Sequence, residues 1–358
     1  MQNTRVTLDQ ITSFKDFLKH IDKLQFPNQM GCILESRYLQ HLLVVTQNEA
    51  AVIRLNFWLQ QALYEELVCA PSGVTRERVT KFLEALLNFV SFYQKPLASL
   101  ESCLAQYLLT WNGVDYQTLI FLLVSQLQIK PFQKLNDLVL EPIRKLFFCS
   151  SVEFKCQVLS CLTEMLLTLA RSTLVTAMEE DKPSQSTSAT PLSVNDLPMS
   201  NNETRETCLV IKGLIGFVNR ICTVASQMES DHILLQHCIL CFFEQVSILH
   251  KNYPSVWLFY IPSSAIIYRL LFASNPMAVS RLCNLIVNYK ETFESLKRAQ
   301  LSSAEGDVFD GLENTQEEGI KFNPSLIRGK TRTVYLEFLR RQNLHGVIRF
   351  LNTFIKQK

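Results

Sequence analysis

The chain has 358 residues, a net charge of +2 (35 Lys plus Arg against 33 Asp plus Glu), 47% hydrophobic residues and only 10 glycines. That much apolar surface suffices for a large core, and so little glycine argues against Rossmann loops, phosphate-binding loops and turn-dense β architectures. A near-neutral balance excludes a general affinity for nucleic acid, so any such contact must come from a local patch.

Apolar residues recur at helical spacing almost from end to end. Leu8, Ile11, Phe14, Leu18 and Ile21 step by three or four and predict a first amphipathic helix. The next predicted helices lie at 31–45 and 48–69, the latter with Val52, Leu55, Leu59 and Leu63 on one stripe. Further helices follow at 75–93, 97–109, 115–128 and 132–148, separated by breaks at Pro27, Pro71-Ser72-Gly73, Pro96, Trp111-Asn112-Gly113 and Pro131. The run 152–178 is rich in Leu, Cys and Met and reads as buried on most sides.

The segment 179–207 carries three prolines and many Ser, Thr and Asn residues, and is expected to be a disordered insert. Its Thr190-Pro191 dipeptide is a candidate for a proline-directed kinase. Helices are predicted again at 208–228, 231–251, 263–273 and 277–298. An acidic loop follows at 299–325, and a last helix at 332–355. The expected segments are therefore 1–178, 179–207, 208–298, 299–325 and 326–358. Elements of about 20 residues with brief connections suggest antiparallel helix neighbours. No strict repeat marks a consensus solenoid, which leaves a degenerate, HEAT-like α-solenoid of irregularly stacked antiparallel helices as the all-α architecture.

The chemistry-bearing residues are sparse. His232, His237, Cys238 and Cys241 are four potential zinc ligands. On one helix, however, only His237 and Cys241 share a face well, so a packed helix with a polar edge is the expectation. No nucleophile elbow or comparable signature appears, and the chain is expected to be non-catalytic and to need no cofactor. The 11 cysteines lie mostly in apolar runs and point to a reducing compartment. The first 25 residues do not read as a signal peptide. The longest uncharged apolar stretch, 254–268, is too short and interrupted for a membrane span. Trp58, Trp111, Trp257 and Phe242-Phe243 are expected core anchors.

The charge pattern is sharper at the C-terminus. Residues 301–318 hold six acids and no base, whereas 326–358 hold eight Lys or Arg and one acid. Arg328, Lys330, Arg332, Arg340, Arg341 and Arg349 form the candidate contact for DNA or an acidic partner.

Several stretches in order carry a family resemblance. They are Phe26-Pro-Asn-Gln-Met-Gly31, Arg54-Leu-Asn-Phe-Trp-Leu-Gln60 followed by Glu65-Glu66, and Trp111-Asn-Gly113; then the run 146–159, Ile327-Arg-Gly-Lys330 and Tyr335-Leu-Glu-Phe-Leu339. Together they resemble the C-terminal half of the centromere protein I family. The resemblance implies a non-catalytic, HEAT-like α-solenoid of the inner kinetochore. It also implies a nuclear, centromeric location, assembly with centromere proteins H, K and M, and support for kinetochore assembly and centromeric histone loading. It further implies an N-terminal helical half absent from these 358 residues, and hence a fragment or a short form. Direct contact with centromeric DNA or a nucleosome through the basic end is the alternative.

Overall fold

The computed structural model describes residues 24–46, 48–68, 76–180, 202–252 and 260–302, together with positions 6, 7, 13, 15, 19, 20, 340, 344 and 346. The fold is all-α. Its only extended pairing among these residues is a two-residue parallel bridge of β1 (Val6–Thr7) with β2 (Leu24–Gln25). Most of the expected first helix, including Leu8, Ile11, Phe14, Leu18 and Ile21, and most of the last one, 332–355, lie outside the described residues. The chain divides into two compact units, Met1–Ile129 with Leu135–Leu146, and Lys130–Lys134 with Phe147–Lys358.

In the first unit, the helix expected over 31–45 is broken in two: α1 (Cys32–Glu35) and α2 (Arg37–Thr46). Ser36 between them is extended, at φ −99° and ψ 111°. Buried Gln40 donates from Nε2 to the carbonyls of Ile33 and Leu34, both at 3.0 Å. A helix that stops early leaves carbonyls unpaired, and one amide side chain from the next helix meets two of them.

Asn48 caps α3 (Glu49–Leu63), its side chain accepting from the Ala51 N–H at 3.1 Å. Leu55, Leu59 and Leu63 are fully buried on the inner face of α3. The helix then widens into a π turn, Tyr64–Val68. The helices α4 (Arg76–Tyr93), α5 (Ala98–Thr110) and α6 (Gln117–Ser125) follow at the expected places. Between α5 and α6, Gly113 takes φ 80°, a left-handed conformation that suits glycine. The Asn112 side-chain oxygen accepts the Val114 and Asp115 N–H groups there.

The window 132–148 also divides, into α7 (Phe132–Leu135), a second π turn (Asn136–Leu140) and α8 (Glu141–Cys149). Pro142 lacks an N–H to continue the α-helical ladder, and the turn ahead of it is widened, with the Glu141 N–H reaching back to Asn136.

The second unit is built on α9 (Val152–Glu180), α10 (Asn202–Met228), α11 (Ile233–Asn252), α12 (Ser264–Leu271) and α13 (Pro276–Ser302). The start of α10 at Asn202 lies inside the segment read from sequence as an insert. No proline follows Pro198 to stop a helix forming there, and residues 181–201 lie outside the described ones. Leu162, Met165, Leu166, Leu214, Val218, Cys222 and Phe242 are buried at the centre of this unit. A fully buried side chain of this size contributes roughly 2 kcal/mol.

The segments Glu206–Met228 and Ile233–Asn252 are long and apolar enough to cross a bilayer by length and composition, although no uncharged run in the sequence is. Half of each apolar window is buried inside the fold. Near the C-terminus, Leu344 is buried and the Gly346 N–H donates to Tyr268 Oη at 3.0 Å, which ties that segment to α12.

Within each unit, helices pack both on their chain neighbours and on the next helix but one. Next-but-one pairs are α2 with α4, α3 with α5 and α4 with α6 in the first unit, then α9 with α11, α10 with α12 and α11 with α13 in the second; α1 with α2, α9 with α10 and α12 with α13 also pack as direct neighbours. Packing confined to elements near in sequence fits an α-solenoid, in which each element rests on its near neighbours.

Candidate interaction surfaces

The helix α3 buries one stripe and exposes another. Leu55, Leu59 and Leu63 point inward, while Ile53, Phe57, Tyr64 and Val68 are exposed on the opposite side of α3 and its π turn. Phe57 is 76% exposed. At 100° per residue these positions form one line, because steps of four, seven and four residues return to nearly the same azimuth. On α2, Tyr38 and Val45 are seven residues apart and also exposed. A helix that is apolar on two opposite faces has one face more than its own core uses.

The second unit carries a polar cluster between α11 and α13. Arg281 makes a bidentate pair with Glu244, Nε to Oε1 at 2.8 Å and Nη2 to Oε2 at 2.6 Å. Arg281 also lies 2.7 Å from His237 Nδ1 through Nη1 and donates to Cys241 Sγ at 3.2 Å. The Glu244 hydrogen bond raises the arginine's already high pKa further.

Of the four candidate zinc ligands, the structure brings His237 and Cys241 together, at 3.4 Å. His232 instead accepts the Leu234 N–H at the start of α11. Cys238 shares a hydrogen bond with Cys156 of α9. That bond lowers the Cys238 pKa, with the charge of Arg281 acting in the same direction; the bond and burial raise that of Cys156. The arginine puts a positive charge where a metal cation would sit. No group of three or more His, Cys, Asp or Glu that could hold a metal occurs among the described residues. The sequence offered no signal for Arg281, which lies 37 residues from Glu244 and 44 from His237.

Trp111 is buried edge-on against Phe121, with centroids 5.4 Å apart, and Phe242 and Phe243 are both core residues. Trp58 is only half-buried and lines a hollow, whereas Trp257 lies outside the described residues. Of the candidate basic contacts, Arg340 is helical and exposed; Arg328, Lys330, Arg332, Arg341 and Arg349 lie outside the described residues.

Comparison with known proteins gives a consistent result. The family profile described as Mis6 (CENP-I) matches residues 1–186. Centromere protein I of Gallus gallus is 28% identical over 320 residues, covering 88% of this chain and 40% of that protein. The protein of that name in Rattus norvegicus is 27% identical over 303 residues, covering 82% and 38%. Its counterpart in Mus musculus is 28% identical over 295 residues, covering 81% and 37%. The chain thus spans about two-fifths of the length of these relatives.

Proposed function

The chain belongs to the centromere protein I (Mis6) family, and from that premise we propose that it is a non-catalytic scaffold segment of the inner kinetochore, acting in the nucleus at the centromere. Its partners are centromere proteins H, K and M, and its work supports kinetochore assembly and centromeric histone loading. The observation that carries this reading is the exposed stripe Ile53, Phe57, Tyr64 and Val68, opposite the buried face of α3. A partner helix laid along it would remove that apolar surface from water, as helix-in-groove recognition does. The stacked arrangement fits such a role, because a solenoid offers extended surfaces rather than an enclosed pocket.

The test is co-expression with centromere proteins H and K, followed by size-exclusion chromatography at two salt concentrations. The complex is expected to persist at the higher salt, since apolar contacts are not screened. The variant Ile53→Asp/Phe57→Asp is expected to lose co-elution while keeping its melting temperature, because both positions are exposed. Co-elution unchanged by that variant would remove this face from the assembly.

A second reading rests on the charge of the C-terminal end, eight Lys or Arg against one acid in 326–358. There, Arg328, Lys330, Arg332, Arg340, Arg341 and Arg349 would contact DNA phosphates. That binding should weaken steeply with salt and vanish on charge reversal at Arg340 and Arg341.

A further inference from the structure

The polar cluster of the second unit also gathers thiols. Cys238 of α11 is half-buried and shares its hydrogen bond with Cys156 of α9, which is buried. The helices α9 and α11 form the most extensive helix contact among the described residues. Two sulfurs from different helices thus meet across a packed interface, and hydrogen-bond contact places each within reach of the other.

The two thiols are not equivalent. The hydrogen bond lowers the Cys238 pKa against the opposing effect of burial, and the Arg281 charge lowers it further. The same bond and burial raise the Cys156 pKa. Cys238 therefore gives up its proton first, and Cys156 stays protonated and donates to it. A more open nucleophile backed by a buried, protonated partner is the arrangement that thiol–disulfide chemistry needs. Cys241, one turn further along α11, is engaged differently. Its Sγ accepts from Arg281 Nη2 at 3.2 Å and lies 3.4 Å from His237 Nε2. Arg281 Nη1 donates to His237 Nδ1 at 2.7 Å, so the imidazole proton sits on Nε2 and points to the same sulfur. Glu244 grips Arg281 through both oxygens and fixes it in place.

We propose that Cys238 and Cys156 are a site of reversible oxidation by hydrogen peroxide, which joins α9 to α11 through a disulfide. The Cys238 thiolate attacks one peroxide oxygen; an S–O bond forms, the O–O bond breaks and hydroxide leaves, so that Cys238 becomes a sulfenic acid. The Cys156 sulfur then attacks the Cys238 sulfur. An S–S bond forms, the S–O bond breaks, and the hydroxyl departs with the Cys156 proton as water. Two electrons pass in all from the sulfur pair to the peroxide. A dithiol reverses the reaction by exchange and is itself oxidised to a disulfide. Cys149 supplies an internal comparison, because it is the more exposed thiol. Were exposure alone decisive, Cys149 would react first; the paired sulfurs and the Arg281 charge put Cys238 ahead of it. The reaction requires no partner protein.

The test treats the reduced whole chain with hydrogen peroxide under native conditions, blocks the remaining thiols with N-ethylmaleimide, and maps the linked peptides by mass spectrometry. A Cys156–Cys238 linkage is expected, lost on treatment with dithiothreitol and accompanied by a higher melting temperature. Cys238 is expected to react at least about fivefold faster than Cys149. In Cys156→Ser, dimedone should trap a sulfenic acid on Cys238, whereas Cys238→Ser should leave Cys156 unmodified. Cys241→Ser should leave the linkage in place, and Arg281→Gln should slow its formation several-fold. Should a cysteine variant fail to fold, the linkage map of the unaltered chain decides the matter. No linkage, oxidation of Cys149 ahead of Cys238, or a bond from Cys238 to Cys222 or Cys241 in place of Cys156 would each overturn the proposal.

Discussion

At the scale of single residues, the sharpest feature is a lysine inside the second unit. The Lys155 side chain is 2% exposed and its Nζ is paired with the Glu229 carboxylate, just beyond the end of α10. Removing one partner of a buried pair strands the other charge in a medium that solvates it poorly, whereas an apolar isostere of both is often tolerated. Glu229→Gln is therefore expected to cost about 3 kcal/mol in urea denaturation, and Lys155→Met/Glu229→Gln to recover most of it. A loss from Glu229→Gln below about 1 kcal/mol would mean that water reaches the ammonium. The sequence showed Lys155 only as a polar interruption in an apolar run. Its partner is 74 residues away, and no local pattern connects the two.

Helix positions were legible because periodicity and proline spacing are local properties. The departures occur where a side chain from elsewhere in the fold, or a missing donor, alters the backbone's hydrogen bonding. Gln40 ends α1 by taking two carbonyls, and Pro142 widens the turn before α8. One close approach between elements sets a measurable limit. A Cβ on Gly213 of α10 would lie 2.6 Å from Phe132 Cδ1 of α7, in the same unit. Helix propensity alone would make Gly213→Ala stabilising by about 1 kcal/mol. Overpacking against the ring costs about 1–3 kcal/mol, so the substitution is expected to lower the melting temperature. In a Phe132→Ala background the ring is gone and the same substitution should raise it. A rise in the unaltered background would show that the ring yields freely.

Across the whole molecule, the all-α class was readable from composition and period, and the structure agrees. The interaction surfaces were much less so. The inward stripe of α3 is visible as Leu55, Leu59 and Leu63, but nothing in the sequence sets Phe57 apart from it, and Trp58 is expected as a core anchor. In the fold Phe57 faces outward and Trp58 lines a hollow. Hydrophobicity alone cannot tell a residue that packs within the chain from one available to another molecule.

The next-but-one packing has a further consequence. Peptide continuity and physical cohesion coincide only in part: α13 follows α12 in the chain and packs on it, but it rests on α11 as well. A cut in the short link between them, at Ala273-Ser274, would therefore sever the backbone without dismantling the layers. With a protease site placed there, the two pieces are expected to migrate as one species under native conditions and to part only in urea. Cleavage of a connecting loop would then be a silent event in this protein, and its turnover would begin with unfolding rather than with the first broken bond.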